Sequence, residues 1–347
     1  MKIKLYALVL FVSLLPTGSA LAQQELSQVL PLLQKYARTT EETQQVLQVF
    51  RTAQNPDVIF AAGASLVKIP PAKTQEPALW NLVLRSENVL KQTFAAVILT
   101  AMGSGHNELL PVLQAGMAGQ DPVLRAYAAA ATALIEPQAS ILTDDVVRLY
   151  IFDGPLAERA LDKLTHTPQA LFTTVKKAAG SSDKQVRAAA ATWLAKHHSS
   201  QAAQQLLKIA KKEKEPEVQA AIANGLAAQR EYTLETVEKG LQRKYTSPYA
   251  TTCALALGFM TGNGVTTVRQ HLAHKNVHAR INAARAAAYM ASVLSNPEAF
   301  AYSSDRVFDI HLLKGLIPAL TTLEQTGSGA EKTYATNALR QIEKLME

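Results

Sequence analysis

Gly180-Ser181-Ser182-Asp183-Lys184-Gln185-Val186-Arg187-Ala188-Ala189-Ala190-Ala191-Thr192-Trp193-Leu194 decides the architecture. Small polar residues end one element, and Asp183 can accept bonds from the free N–H groups that open the next helix. Val186, Ala190 and Leu194 then recur every fourth residue, laying one apolar stripe along that helix. The same pattern stands at Asp121-Pro122-Val123-Leu124-Arg125-Ala126-Tyr127-Ala128 and at Glu215-Pro216-Glu217-Val218-Gln219-Ala220-Ala221-Ile222. A helical unit repeated at a near-constant period builds a solenoid, because each unit buries its apolar face on the next. The expected fold is all-α: an α-solenoid superhelix of stacked antiparallel helix pairs.

Pairing the first apolar anchor of each such helix with the residue eight positions on extends the pattern. Val58 pairs with Leu66, Val89 with Val97, Leu156 with Leu164, Val186 with Leu194, Val218 with Leu226, and Tyr249 with Leu257. Leu124 with Thr132 and Val277 with Arg285 hold the register less well. Anchors at 58, 89, 124, 156, 186, 218, 249 and 277 lie 31, 35, 32, 30, 32, 31 and 28 residues apart. Three residues before them stand Asn55, Ser86, Asp121, Asp153, Asp183, Glu215, Thr246 and His274, six of which are good N-cap types. Prolines 56, 122, 155, 216 and 248 follow at helix starts, where a missing N–H costs little. The first helix of each pair is expected at 108–117, 169–179, 201–211, 234–241 and 265–272, with Gly262-Asn263-Gly264 as a helix–helix turn.

The segments DPVLRAYAAAATAL, SSDKQVRAAAATWLA and EPEVQAAIANGLAA resemble HEAT repeats, in particular the short, alanine-rich bacterial type related to the phycobilisome-lyase repeats. The resemblance covers roughly residues 55 to 290 and implies a binding scaffold rather than an enzyme; lyase chemistry is not carried over. It also implies that second helices line the concave side. Positions two and nine beyond the anchors, the opposite helix face, are mostly small: Ala126, Ala188, Ala220 and Ala279, then Ala133, Ala195, Ala227 and Ala286. Arg125 and Arg187 fall on the helix flank, where they bond a neighbouring repeat.

The ends break the period. Lys2 and Lys4, the apolar run from Leu5 to Leu15, and Ala20-Leu21-Ala22 form a signal peptide over residues 1–22, with cleavage near Ala22 and a mature start at about Gln23. Eleven apolar residues are too few to span a bilayer, which needs roughly 20. Residues 23–54 are read as N-terminal capping helices, with Leu26, Val29, Leu30 and Leu33 in one and Val46, Leu47 and Phe50 in the other. The array proper covers 55–290. Residues 291–347 hold an insertion over 292–310, with Phe300, Tyr302 and Phe308, then a capping pair at 312–323 and 331–346. The expected location is periplasmic or secreted, and no segment spans a membrane. Cys253, the one cysteine, has no internal disulfide partner and sits where other repeats carry Ala190 or Ile222, which predicts a buried, inert thiol.

Chemistry-bearing motifs are sparse. No phosphate-binding glycine loop, nucleophile elbow or HExxH is written here, so no catalytic residue and no cofactor is assigned. Asp144-Asp145 and Glu213, Glu215 and Glu217 fall at helix starts or loops, where carboxylates favour the helix dipole. His271, His274 and His278 form the sharpest cluster and the one candidate metal site, though they straddle a turn without a neighbouring carboxylate or thiolate; His197-His198 has the same weakness.

Charge says more. The formal net charge is +7, or +5 once Lys2 and Lys4 are removed. Residues 176–285 hold 17 Lys and Arg against 7 Asp and Glu, a net of +10 that leaves about −5 for the rest of the mature chain. Such a field draws anionic partners. Candidate contacts are Lys184, Lys211, Lys212, Lys214, Arg243, Lys244, Arg269, Lys275 and Arg280, with the aromatics Phe300, Tyr302 and Phe308. The expected role is an exported scaffold for a protein or peptide partner, with an anionic envelope polymer or lipid headgroup as further classes. Export and the absence of interleaved aromatics exclude nucleic acid. Two alternatives stand beside this: an accessory enzyme or metal-handling envelope protein using the histidine cluster, and a structural spacer of an envelope complex.

Overall fold

A short polar side chain closes over the start of most second helices. Asp121 Oδ1 accepts from the N–H groups of Val123 at 2.8 Å and Leu124 at 2.7 Å. Asn55 caps Asp57 and Val58, Asp153 caps Leu156 and Asp183 caps Gln185 in the same way. Each cap replaces bonds that the helix cannot make for itself, stabilising it by about 1 kcal/mol.

The computed structural model describes residues 30–33, 35, 37–139, 141, 143–295 and 306–346. The segment expected as a signal peptide, most of the expected first N-terminal helix, Phe300 and Tyr302 lie outside the described residues. The chain divides into two units, Ile3–Ala178 and Ala179–Glu347, and this division falls inside the repeat array. Among the described residues every regular element is helical. The molecule is all-α, and each unit is a run of α-solenoid.

The first unit holds α1 (Thr40–Thr52), α2 (Pro56–Lys68), α3 (Glu76–Arg85), α4 (Val89–Ala101), α5 (Leu110–Ala118), α6 (Pro122–Ile135), α7 (Thr143–Phe152), α8 (Gly154–Thr165) and α9 (Pro168–Ala178). The second helices α2, α4, α6 and α8 pack side by side. Phe60, Phe94 and Tyr127, one from each of the first three, form a ladder with ring centroids 5.0 and 5.3 Å apart. Such aromatic contacts add about 0.5–1.5 kcal/mol each beyond the burial of their area.

The second unit holds α10 (Lys184–Lys196), α11 (Ser200–Ala210), α12 (Pro216–Ala228), α13 (Arg230–Leu241), α14 (Pro248–Met260), α15 (Gly262–Leu272), α16 (Val277–Ser295), α17 (Arg306–Lys314), α18 (Ile317–Thr326) and α19 (Gly329–Met346). Here α10, α12, α14, α16 and α19 pack in succession. Leu194, Leu226 and Leu257 are fully buried along that seam, each contributing roughly 1.5–3 kcal/mol relative to exposure. Because each second helix has neighbours on both flanks, Ala126, Ala133, Ala279 and Ala286 are buried too. Ala188 and Ala195 are buried as well, while Ala220 and Ala227 are half-buried, so most of these positions are small because two helices meet there.

Several boundaries differ from the sequence reading. Asn88, Ser247 and Asn276 cap their helices, in place of Ser86, Thr246 and His274. The caps at 55, 88, 121, 153, 183, 215, 247 and 276 are then 33, 33, 32, 30, 32, 32 and 29 residues apart, a tighter period than the anchors gave. Val89 is consequently at the first turn and 53% exposed, while Lys91 takes the buried slot and sends Nζ to Arg51 O at 2.9 Å. Gly262-Asn263-Gly264 is the first turn of α15; the bend is at Thr261, whose φ is 46°. A Cβ on Gly262 would lie 2.0 Å from Asp309 Oδ1 of α17, so this glycine serves close approach. The helix after Asn276 runs on to Ser295, and residues 306–310 belong to α17 rather than to an insertion. The expected single helix over 312–323 is broken at Gly315-Leu316 between α17 and α18.

Candidate interaction edge

The turns that join first to second helices within the second unit carry six exposed cations. Lys211, Lys212 and Lys214 lie on the turn from α11 to α12, Arg243 and Lys244 on that from α13 to α14, and Lys275 on that from α15 to α16. All six are exposed, and none makes an ion pair among the described residues. Because the caps recur at a constant period, the turns recur along one edge of the unit, and the fold collects these six charges there.

The other predicted contacts divide. Lys184 Nζ lies 3.2 Å from Glu217 Oε2, an exposed pair at the same edge. Arg280 is not free: its Nε donates to Glu331 at 2.6 Å and its Nη1 to the carbonyls of His274 and Lys275 at 2.6 and 3.0 Å. Arg269 is exposed on α15, with its guanidinium against Gly315 between α17 and α18. Phe308 is 56% exposed on α17.

Arg280 belongs to a recurring device. Arg125, Arg187 and Arg280 each stand four residues after an N-cap. Arg187 donates from Nη1 to the Ser181 and Ser182 carbonyls at 3.0 Å, then reaches the next repeat through Nε to Glu213 Oε2 at 2.7 Å and Nη2 to Glu213 Oε1 at 3.1 Å. Glu213 Oε1 also accepts from the N–H groups of Lys214 and Glu215, so it is a buried cap rather than a solvated carboxylate. Burial alone would raise its pKa, but the Arg187 and backbone donors prevail and hold it below the usual carboxylate range. The fork to Glu213 in turn raises the Arg187 pKa. In the first unit Arg125 lies 3.5 Å from Asp145, which is buried and also bonded to Arg148.

The histidines do not converge on a common point. His271 is buried with Nδ1 2.9 Å from Thr267 O, and His274 Nδ1 accepts from Asn276 N at 3.0 Å. Their rings stack at 5.7 Å, while His278 lies against Tyr245 at 5.9 Å. No group of three His, Cys, Asp or Glu side chains among the described residues is placed to hold a metal ion. His197 stacks on Trp193 at 3.6 Å just after α10. Cys253 is fully buried, and burial pushes its thiol up to about 12 despite a bond to Tyr249.

Two features escaped the sequence reading. One is a cleft of about 600 Å³ in the first unit, with Arg159, Lys163 and His166 over Leu134 and Ile135; Arg159 and Lys163 read as ordinary surface charges on α8. The other is Arg285, buried beside Tyr334 in the second unit. Its signal was present, since the ninth residue after the cap is Ala64, Val97, Ala130, Asp162, Thr192, Asn224 or Ala256 in the other repeats and never another cation.

The family model for HEAT repeats matches residues 172–258. That match does not single out the phycobilisome-lyase type. A solved structure of a Kap121p mutant is similar at 14% identity with a TM-score of 0.33, covering 95% of this chain and 35% of that one. The chain thus spans about a third of the length of that structure. A search of curated proteins finds no match. No helix among the described residues is long and apolar enough to cross a membrane.

Proposed function

From a chain that carries HEAT repeats over residues 172–258, we infer a protein-interaction scaffold that holds an acidic protein partner along the basic edge of its second unit. HEAT repeats serve generally as interaction scaffolds, because a stack of repeats offers a long surface. The row of unpaired cations at Lys211, Lys212, Lys214, Arg243, Lys244 and Lys275 carries the reading. Rim charges of this kind steer association and set its salt dependence more than its final tightness. The leader-like pattern ending at Ala22 supports export, with the envelope as the site of action.

The test uses protein exported by a Gram-negative host, whose first residue is expected to be Gln23. It is offered envelope extract, and the retained proteins are compared with those held by a variant carrying Lys211→Glu, Lys212→Glu and Lys214→Glu. An acidic partner retained by the native chain, released by salt and lost by the variant supports the reading. A partner held equally by both at every ionic strength removes it.

A further inference from the structure

Arg285 is out of keeping with the other arginines of its array. It is 8% exposed, yet no carboxylate pairs with it among the described residues. Arg148, the other buried arginine, is paired with Asp145. Arg285 Nη1 donates to Thr251 Oγ1 at 2.9 Å, and Nη2 to the Tyr334 hydroxyl at 2.8 Å. Its guanidinium carbon stands 4.7 Å from the centre of the Tyr334 ring. Neutral hydroxyls and a ring face orient a cation without neutralising it. Nε makes no bond and is not sealed away, so one donor of the fork still meets solvent.

The surroundings extend this patch toward the basic edge. Tyr245 follows Lys244 on the edge itself, and its ring lies 6.2 Å from Tyr334 and 5.9 Å from His278. His278 stands seven residues before Arg285, so both share one face of α16, about 10.5 Å apart along its axis. His278 Nδ1 is buried with no hydrogen-bond partner. An uncompensated guanidinium and an unsatisfied imidazole beneath two half-exposed tyrosines make a poor structural core, since each costs stability. Tyrosine and arginine at the rim of a charged surface are also the residue types on which binding energy concentrates.

We propose that Arg285, held against Tyr334 with Tyr245 packed on the far side of that ring, receives an aspartate or glutamate side chain of the acidic partner that the basic edge attracts. The carboxylate takes the solvent-facing side of the guanidinium fork, and the tyrosine rings exclude water around it. This rests on the scaffold reading above, with a separate role for each part: the edge gives long-range attraction and Arg285 a fixed point of engagement.

The experiment titrates a fluorescein-labelled octaglutamate peptide with the full chain at low ionic strength, following anisotropy. Arg285→Met keeps the apolar stem and removes the charge. Its affinity is expected to fall about tenfold or more, as for loss of one partner of a desolvated charge pair, while its melting temperature stays level or rises. Unchanged affinity in Arg285→Met overturns the proposal, and so does a drop in melting temperature without loss of affinity. Should that variant fail to fold, Arg285→Lys keeps the charge without the fork; it is expected to bind several-fold more weakly, and equal binding overturns the proposal. Lys211→Gln with Lys212→Gln and Lys214→Gln tests the edge separately: affinity unmoved by this change and by salt, but lost in Arg285→Met, removes the edge and leaves the carboxylate site standing. No binding by the native chain removes both.

Discussion

Arg187 and Glu213 illustrate how single residues hold the array in register. The guanidinium closes the turn behind its own helix and forks onto a carboxylate that caps the next one, so one contact orders two repeats. Both groups are largely buried, with side-chain exposures of 18% and 8%. Removing one partner therefore strands the other, at a cost of roughly 1–3 kcal/mol. The pH dependence has a definite sign. A carboxylate whose folded pKa is depressed stabilises fully above its unfolded pKa of about 4.3, and the gain is lost as pH falls through the folded value. Glu331, held low against burial by Ser328 and Arg280, acts in the same direction. Glu213→Gln is expected to be less stable than the native chain at neutral pH, with the gap closing as pH falls from about 5 through the depressed folded value. Urea unfolding midpoints of the two proteins across that range provide the check. A gap that stays constant would mean the carboxylate charge plays no part.

At the scale of helices, the sequence was most legible where one local signal had one meaning. Asp121, Asp153 and Asp183 were placed as caps because aspartate before a proline or an apolar stripe has little else to do. The reading slipped where one residue type serves two purposes. A lysine reads as surface, yet the stem of Lys91 lies in the core and its ammonium reaches the Arg51 carbonyl. The resulting two-residue error gave the uneven spacing around Val89. Glycine is ambiguous in the same way, since it marks turns and also close approaches. The basic edge was visible as composition, but its gathering on three turns needed the helix boundaries; Arg285 needed the tertiary contact with Tyr334. The glycine reading has a direct consequence. Gly262→Ala places a methyl group 2.0 Å from Asp309 Oδ1, and because Asp309 is buried between α15 and α17 the shift is expected to reach α17. Amide exchange is expected to quicken over Arg306–Lys314 while α10, α12 and α14 keep their protection. Unchanged exchange in that helix would show that Asp309 yields without cost.

Taken whole, the chain is a sum of neighbouring contacts, and its stability at any point depends on how many repeats must open together. Cys253 is a built-in reporter of that property. It sits on α14, with α12 and α16 packed on either side, and has no exposed surface. Its thiol, pushed up to about 12 by burial, is almost wholly un-ionised near neutrality, and the thiolate is the reactive form. A water-soluble disulfide reagent at about pH 8 is therefore expected to leave the native chain unmodified over a period that labels the urea-unfolded chain completely. Across a urea series, labelling should appear with the loss of helical circular dichroism, because the sulfur is reached only when α14 loses its neighbours. Labelling of the native chain within minutes, or a labelling midpoint well below the helical one, would show that the stack opens at α14 without unfolding and that its repeats are coupled less tightly than their packing implies.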